Sequence, residues 1–202
     1  ISLPVDSKQL EEYRLTPLPP YIAQNESLAD EYQTVYALPL GSKAAPTAGL
    51  HFTKSQIAKL AHNHPIAELT LHVGFGTFAP LKAENINDNH LHSERYQISS
   101  ANAKTLNKAQ SITAVGTTSC RTLESAGYPF KASSGSTDIF IKPGYRFSHT
   151  NSLVTNFHLP SSSLLMLVSA LMGSVDEMQR VYAHAIGNNY RFYSFGDAML
   201  IK

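Results

Sequence analysis

The sequence predicts an α/β fold of mixed strands and helices, and three observations carry that expectation. Short runs with strand character alternate with segments of helical apolar spacing. Glycine, proline and hydroxyl-rich stretches punctuate them at short intervals. With 43% hydrophobic and 15% charged residues among 202, the composition is that of a globular domain and too apolar for a disordered one. The length suits one good-sized domain, or one domain and a fragment of another.

From the N-terminus, Lys8 to Tyr13 reads as a short helix. Pro17, Pro19 and Pro20 then force an extended stretch that suits a domain junction. Aromatic and β-branched residues between Glu31 and Leu38 predict a strand, and the small residues from Gly41 to Gly49 a loop. Thr53 caps a helix whose apolar positions are Ile57, Leu60 and Ala61 and which ends before Pro65. Glu68 to Val73 is a strand. A helix over Ser100 to Ala109, a strand Ile112 to Val115 and a helix Ser119 to Ala126 follow. Strands Asp138 to Ile141 and Ser152 to Asn156, helices Ser163 to Gly173 and Asp176 to Ile186, and a closing aromatic strand from Tyr190 to Phe195 complete the order.

Several classes are excluded or disfavoured. The longest apolar run, Leu164 to Met172 with Ser169 inside it, is about half the roughly 20 residues of a membrane span and reads as a buried helix. No basic, apolar, small-residue leader opens the chain, which begins on Ile1; an upstream part is expected to have been removed. Cys120 is the only cysteine, so neither an internal disulfide nor a thiolate cluster can form, and a reducing compartment fits. Sixteen Lys and Arg against fifteen Asp and Glu give a net charge of +1. Contact with nucleic acid would therefore need a local patch.

Five clusters are able to carry chemistry. Gly74 and Gly76, with Thr77 and Phe78, follow the Glu68 to Val73 strand, where backbone can approach a ligand or simply turn. His72 alternates with Leu71 and Val73 and so faces the other way, toward a cleft at the strand end or into a structural hydrogen bond. Gly116-Thr117-Thr118 joins a strand to a helix, where free N–H groups cap the helix or hold an anion, and Arg121 one turn later suits a carboxylate or a surface ion pair. His90, His92 and Glu94 raise a metal reading, but no fourth ligand accompanies them, and recognition of a polar substrate is the better use. Asn156 and His158 end a strand ahead of a serine-rich helix cap, and Tyr190, Arg191 and Asp197 combine an aromatic with two charges, suited to stacking a base or to a strand's core face.

In their order and wording these segments resemble the S-adenosylmethionine:tRNA ribosyltransferase-isomerase family of queuosine biosynthesis. The likeness runs from Pro17-Leu18-Pro19-Pro20-Tyr21-Ile22 through Tyr32-Gln33-Thr34-Val35-Tyr36, the segment Ala44 to Phe52 and the segment Thr70 to Phe78. It continues through His90 to Glu94, Val115 to Thr118, Arg121 to Glu124, Asp138 to Tyr145, Thr155 to Pro160 and Tyr190 to Ile201. Glu31 stands where the family commonly has Arg, Ser136 where it has Trp, and the loops near Ser111 and Gly127 are short.

The resemblance implies an α/β catalytic domain, with the family's inserted small β-barrel domain largely absent from this chain. Residues 1–202 would be the C-terminal portion of the catalytic domain, and residues 1–22 its junction with the missing barrel and N-terminal part. It implies transfer and isomerisation of the ribosyl moiety of S-adenosylmethionine onto the aminomethyl 7-deazaguanine at the wobble position of tRNA, giving epoxyqueuosine, adenine and methionine. S-adenosylmethionine is consumed as a substrate; no cofactor, metal or membrane is implied, and the protein would be a cytoplasmic monomer. In this frame His158 or His72 is the general base and Asp197 the acid or the group that fixes the deazaguanine edge. Gly116, Thr117, Thr118 and Arg121 hold the methionine carboxylate, Gly74, Gly76 and Thr77 approach the ribose, and Phe52 or Phe78 packs on adenine. Tyr190 and Arg191 orient the tRNA base, and His51, His90, His92, Glu94 and Asn156 complete the substrate-binding set. Two other readings stand beside it: another S-adenosylmethionine-dependent transferase using the Gly116 turn, and a truncated or inactive RNA-binding remnant.

Overall fold

Strands in the computed structural model, which describes residues 18, 21, 22, 28, 31–38, 41, 42, 44–74, 81 and 85–202, fall into two three-stranded sheets. The first joins β1 (Leu69–His72), β2 (Glu94–Ile98) and β4 (Ser133–Thr137), all antiparallel, with Leu71 opposite Tyr96 and Tyr96 opposite Gly135. The second places β3 (Thr113–Val115) parallel to β5 (Ser152–Asn156), with β6 (Ala198–Ile201) antiparallel on the far side of β5. Parallel neighbours need a crossover. Here the path from β3 to β5 includes α3 (Thr117–Ser125), and it also visits the first sheet through β4.

That helix is the hinge of the architecture, because it packs against β1 and β4 of one sheet and β3 and β5 of the other. Its Cys120 and Leu123 meet Ile98, Ala114, Leu153 and Ile141 in one core, closed by Leu167 and Val168 of α4 (Ser163–Leu171) and Met178 of α5 (Val175–Gly187). Each such fully buried aliphatic side chain contributes about 1.5–3 kcal/mol. Burial pushes the Cys120 thiol up to about 12, which makes it a packing residue and not a nucleophile. α4 starts where Ser162 Oγ accepts from Leu165 N, and α5 where Ser174 Oγ accepts from Glu177 N.

The expected mixed α/β class holds, and the helices fall close to their predicted spans. α1 (Lys54–Asn63) begins at a capping box, with Thr53 and Gln56 satisfying each other's backbone N–H groups. None of its residues is buried. α2 (Ser100–Lys108) is capped by Ser99 and buries Ala103 and Leu106.

Three expected strands are absent. Residues 31–38 form turns with local bonds such as Ala37 N to Thr34 O, although Tyr32 and Thr34 do point inward. The predicted strand at 138–141 is displaced to Ser133–Thr137, which the Gly135 and serine composition concealed. Tyr190 to Phe195 is a folded turn, and the strand comes afterwards at Ala198–Ile201. Gly41 to Gly49 is not all loop, since Thr47–His51 is a 3-10 helix. The expected helix at Lys8 to Tyr13 and the prolines 17, 19 and 20 lie outside the described residues, as do Gly76, Thr77 and Phe78. Among the described residues no helix is long and apolar enough to cross a membrane.

A candidate active-site cleft at the strand ends

The carboxyl ends of parallel β3 and β5 open side by side into one cleft, the place where open α/β sheets bind ligands. At the end of β3 the chain turns through Gly116 with φ 85° and enters α3 with no side-chain cap. Gly116 N donates to Val154 O and Gly116 O accepts from Cys120 N. Among the described residues nothing caps the N–H groups of the helix's first turn, which lie at the positive end of the helix dipole and are suited to an anion. Gly116, Thr117 and Thr118 all line the cleft. A Cβ at Gly116 would need a backbone conformation that L-residues rarely adopt and would sit 3.3 Å from Thr118 Oγ1. Gly116→Ala is expected to cost about 1–3 kcal/mol of stability, read by urea unfolding, and to weaken anion binding at the turn.

At the end of β5, Thr155, Asn156, Phe157 and His158 form the opposite wall. Thr155 Oγ1 lies 2.9 Å from His158 Nε2, and His158 N donates to the Tyr182 hydroxyl at 3.0 Å. Burial holds the His158 imidazole down at about 4, so it is neutral at physiological pH. Phe157 anchors this wall against Tyr182 and Phe192, with ring centroids 5.4 and 4.9 Å away.

Asn156 ties the wall to the turn at residues 190–197. Its Nδ2 donates to Tyr193 O at 3.0 Å and lies 3.0 Å from His51 Nε2, and its buried Oδ1 has no partner among the described residues. The turn is closed by Asp197, whose carboxylate accepts from Arg191 N at 2.7 Å and from the Arg191 guanidinium at 3.2 Å. Gly196 is required here, because a Cβ would meet the Arg191 and Phe192 backbone at 2.5 Å. The backbone N–H of Arg191, and then its guanidinium, hold Asp197 below the usual carboxylate range. An ionised Asp197 accepts hydrogen bonds near neutral pH and does not donate protons. The aromatics around it divide in role: Phe192 packs inward on Phe157, whereas Tyr190 stays 45% exposed.

The structure separates other residues that the sequence grouped together. Val73 lines the cleft, so its neighbour His72 faces the opposite side of β1, into a depression shared with Arg95, Gln97, Ser134 and Ser136. His72 does not meet His158 in this cleft. Arg121 is likewise turned away from the cleft: its Nη1 donates to Glu94 Oε2 at 2.6 Å, with both side chains at least 94% buried (6% and 5% exposed). Glu94 Oε1 accepts from Gly74 N at 3.0 Å. Arg121 and Glu94 thus brace α3, β2 and the start of the glycine segment rather than reaching for a substrate carboxylate. His90 and His92 are exposed while Glu94 is buried, so the three do not share a face. Among the described residues no three His, Cys, Asp or Glu side chains are placed to hold a metal ion. Phe52 follows the 3-10 helix and does not line the cleft.

Four contributors escaped residue-level reading: Tyr21, Thr155, Ser194 and the Ala44–Ala48 segment, all in the cleft wall. Tyr21 Oη and Ser194 Oγ are bonded at 2.8 Å across the mouth. Only their presence inside longer motifs marked them, since neither spacing nor residue type distinguishes them from ordinary loop residues.

A sequence profile of the family described as "Queuosine biosynthesis protein" matches residues 3–201. The chain is 52% identical over 200 residues to an S-adenosylmethionine:tRNA ribosyltransferase-isomerase of Lachnoclostridium phytofermentans, covering 95% of this chain and 55% of that protein. Among solved structures it resembles the S-adenosylmethionine tRNA ribosyltransferase of Thermotoga maritima, with a TM-score of 0.63 and 42% identity over 77% of this chain and 51% of that one. The chain therefore spans about half the length of these relatives.

Proposed function

The chain belongs to the queuosine biosynthesis protein family, and on that premise we propose that it carries the cleft in which an S-adenosylmethionine:tRNA ribosyltransferase-isomerase performs its chemistry. The reaction moves the ribosyl unit of S-adenosylmethionine onto the aminomethyl 7-deazaguanine at the wobble position of tRNA. Rearrangement to the epoxyqueuosine side chain then releases adenine and methionine.

One observation supports this reading above the others: an uncapped helix N-terminus and a neutral imidazole face each other across the same cleft. S-adenosylmethionine presents a carboxylate and, beside its sulfonium, an acidified carbon. The first-turn N–H groups of α3 after Gly116 hold the carboxylate, aided by the helix dipole. His158 takes the proton from the carbon beside the sulfonium. Its basicity is low, but the sulfonium makes that carbon acidic and the cleft replaces water with fixed groups. On the turn that lines the cleft through Tyr193 and Ser194, exposed Tyr190 and Arg191 orient the tRNA base, and Asp197 accepts from its N–H edge while remaining ionised.

The product distinguishes this reading from methyl transfer. Incubating the protein with S-adenosylmethionine and tRNA that carries the aminomethyl 7-deazaguanine is expected to release free adenine in step with tRNA modification. S-adenosylhomocysteine in place of adenine would assign the cleft to a methyltransferase, and tRNA binding with neither product to an RNA-binding remnant.

A further inference from the structure

His51 ends the 3-10 helix Thr47–His51 and is exposed, with its Nε2 3.0 Å from Asn156 Nδ2. The orientation of the Asn156 amide decides what that contact is. Nδ2 also lies 3.0 Å from Tyr193 O and 3.5 Å from Ser194 O. Both are carbonyl oxygens and can only accept. Rotating the amide by a half-turn would set Oδ1 against Tyr193 O, acceptor against acceptor, and would leave Nδ2 where Oδ1 now has no partner. Leaving that buried Oδ1 unpaired already costs about 1–3 kcal/mol, and the rotated amide would lose its bonds to both carbonyls and keep only the His51 contact, with Oδ1 then accepting from Nε2–H. One N–H of Nδ2 therefore serves the carbonyls and the other points at His51, which must receive it.

We propose that Asn156 fixes neutral His51 as the Nδ1–H tautomer, so that His51 serves the substrate as an uncharged hydrogen-bond donor and not as a base. Nε2, the only lone pair of that tautomer, is occupied by Asn156. Nδ1–H makes no hydrogen bond among the described residues. A neutral imidazole cannot hand over this proton without becoming an imidazolate. Its contribution is a directed N–H aimed at an acceptor that gains negative charge as a bond breaks. Naming that acceptor as a ring nitrogen of departing adenine rests on the function proposed above. The tautomer does not.

Asn156 is thus a positioning residue, and nitrogen NMR on protein labelled with nitrogen-15 histidine reads its effect directly. At a pH where His51 is neutral, its two-bond proton–nitrogen correlations should show hydrogen on Nδ1, with the signal assigned by its loss in His51→Asn. Asn156→Asp places a carboxylate opposite Nε2 and should move the hydrogen there. Hydrogen on Nε2 in the unaltered protein would overturn the proposal, as would an unchanged tautomer in folded Asn156→Asp. Should that variant not fold, the spectrum of the unaltered protein decides alone. For the donor role, His51→Ala should lower kcat about 10²-fold, the scale of one such donor, with little change in KM. His51→Asn, which keeps an N–H near the place of Nδ1, should recover at least about tenfold of that loss. Equal losses in both variants would remove the donor role. A protein that never releases adenine would sink the proposed reaction, and the tautomer would still be settled by the spectrum.

Discussion

Replacing His158 with alanine should lower kcat by about 10²–10⁴-fold, the range that one general base supplies, while S-adenosylmethionine still binds at the α3 turn. Single-turnover kinetics with saturating substrate is the measurement. The pH dependence adds a signature that a purely structural histidine would not leave. Burial lowers this imidazole from 6.5 to about 4, so the basic form persists through mildly acid solution. The acid limb of kcat/KM that belongs to His158 should therefore lie near pH 4 and not near 6.5. The same shift acts on stability. Between about 4 and 6.5 the unfolded chain holds more protons at this site than the folded one, so stability rises with pH across that window. The contribution is complete above the unfolded value and is lost as pH falls toward the folded one. His158→Ala should flatten that part of the stability profile.

The second large effect falls on stability. Arg121→Met leaves the Glu94 carboxylate buried at 5% exposure without its cation, and breaking such a pair from one side costs about 3–5 kcal/mol. Urea unfolding should show that loss as a lower midpoint at unchanged slope. Adding Glu94→Gln to Arg121→Met should restore part of it, because the amide still accepts from Gly74 N without carrying a charge. If Arg121→Met alone changed the midpoint by no more than a surface substitution does, the pair would not be bracing α3 against β2. The pair also bears on the cleft, since Glu94 holds the start of the glycine segment next to Val73, a cleft residue.

Much of the helical frame was legible because its signals are local. Thr53 with Gln56, and Ser162 ahead of an apolar run, state where helices begin. The turn at Gly116 was legible for the same reason, as a glycine between a strand and a helix. The first sheet was legible only at its β1 edge, Leu69–His72, because its middle strand and its other edge carry little propensity of their own. Ser133–Thr137 becomes a strand only by pairing with Glu94–Ile98, and its Gly135 lies under the Tyr96 ring, where a Cβ would sit 2.8 Å from the hydroxyl. Conversely, Tyr190 to Phe195 has strand-like composition, yet Gly196 and the Asp197 clasp fold it into a turn. Tertiary contacts override propensity most readily in strands.

The site followed the same division. His158 and Gly116 were placed by being at strand ends, which sequence marks. Arg121 and Glu94, both expected to bind substrate, instead pair with each other in the structure, and they are 27 residues apart, too far for spacing to reveal a pair. His72 differs from Val73 by one position, and one position in a strand is the difference between two faces. The His51–Asn156 contact spans 105 residues, and only the assembled turn at residues 190–197 gives it direction.

The destination of the ribose of S-adenosylmethionine tests the proposed reaction most directly. With carbon-13 confined to that ribose, mass spectrometry of the digested tRNA should find the modified nucleoside carrying every ribose carbon, with unlabelled adenine and methionine in solution. Label found only in S-adenosylhomocysteine or another small adenosyl product, with the tRNA nucleoside unlabelled, would contradict it.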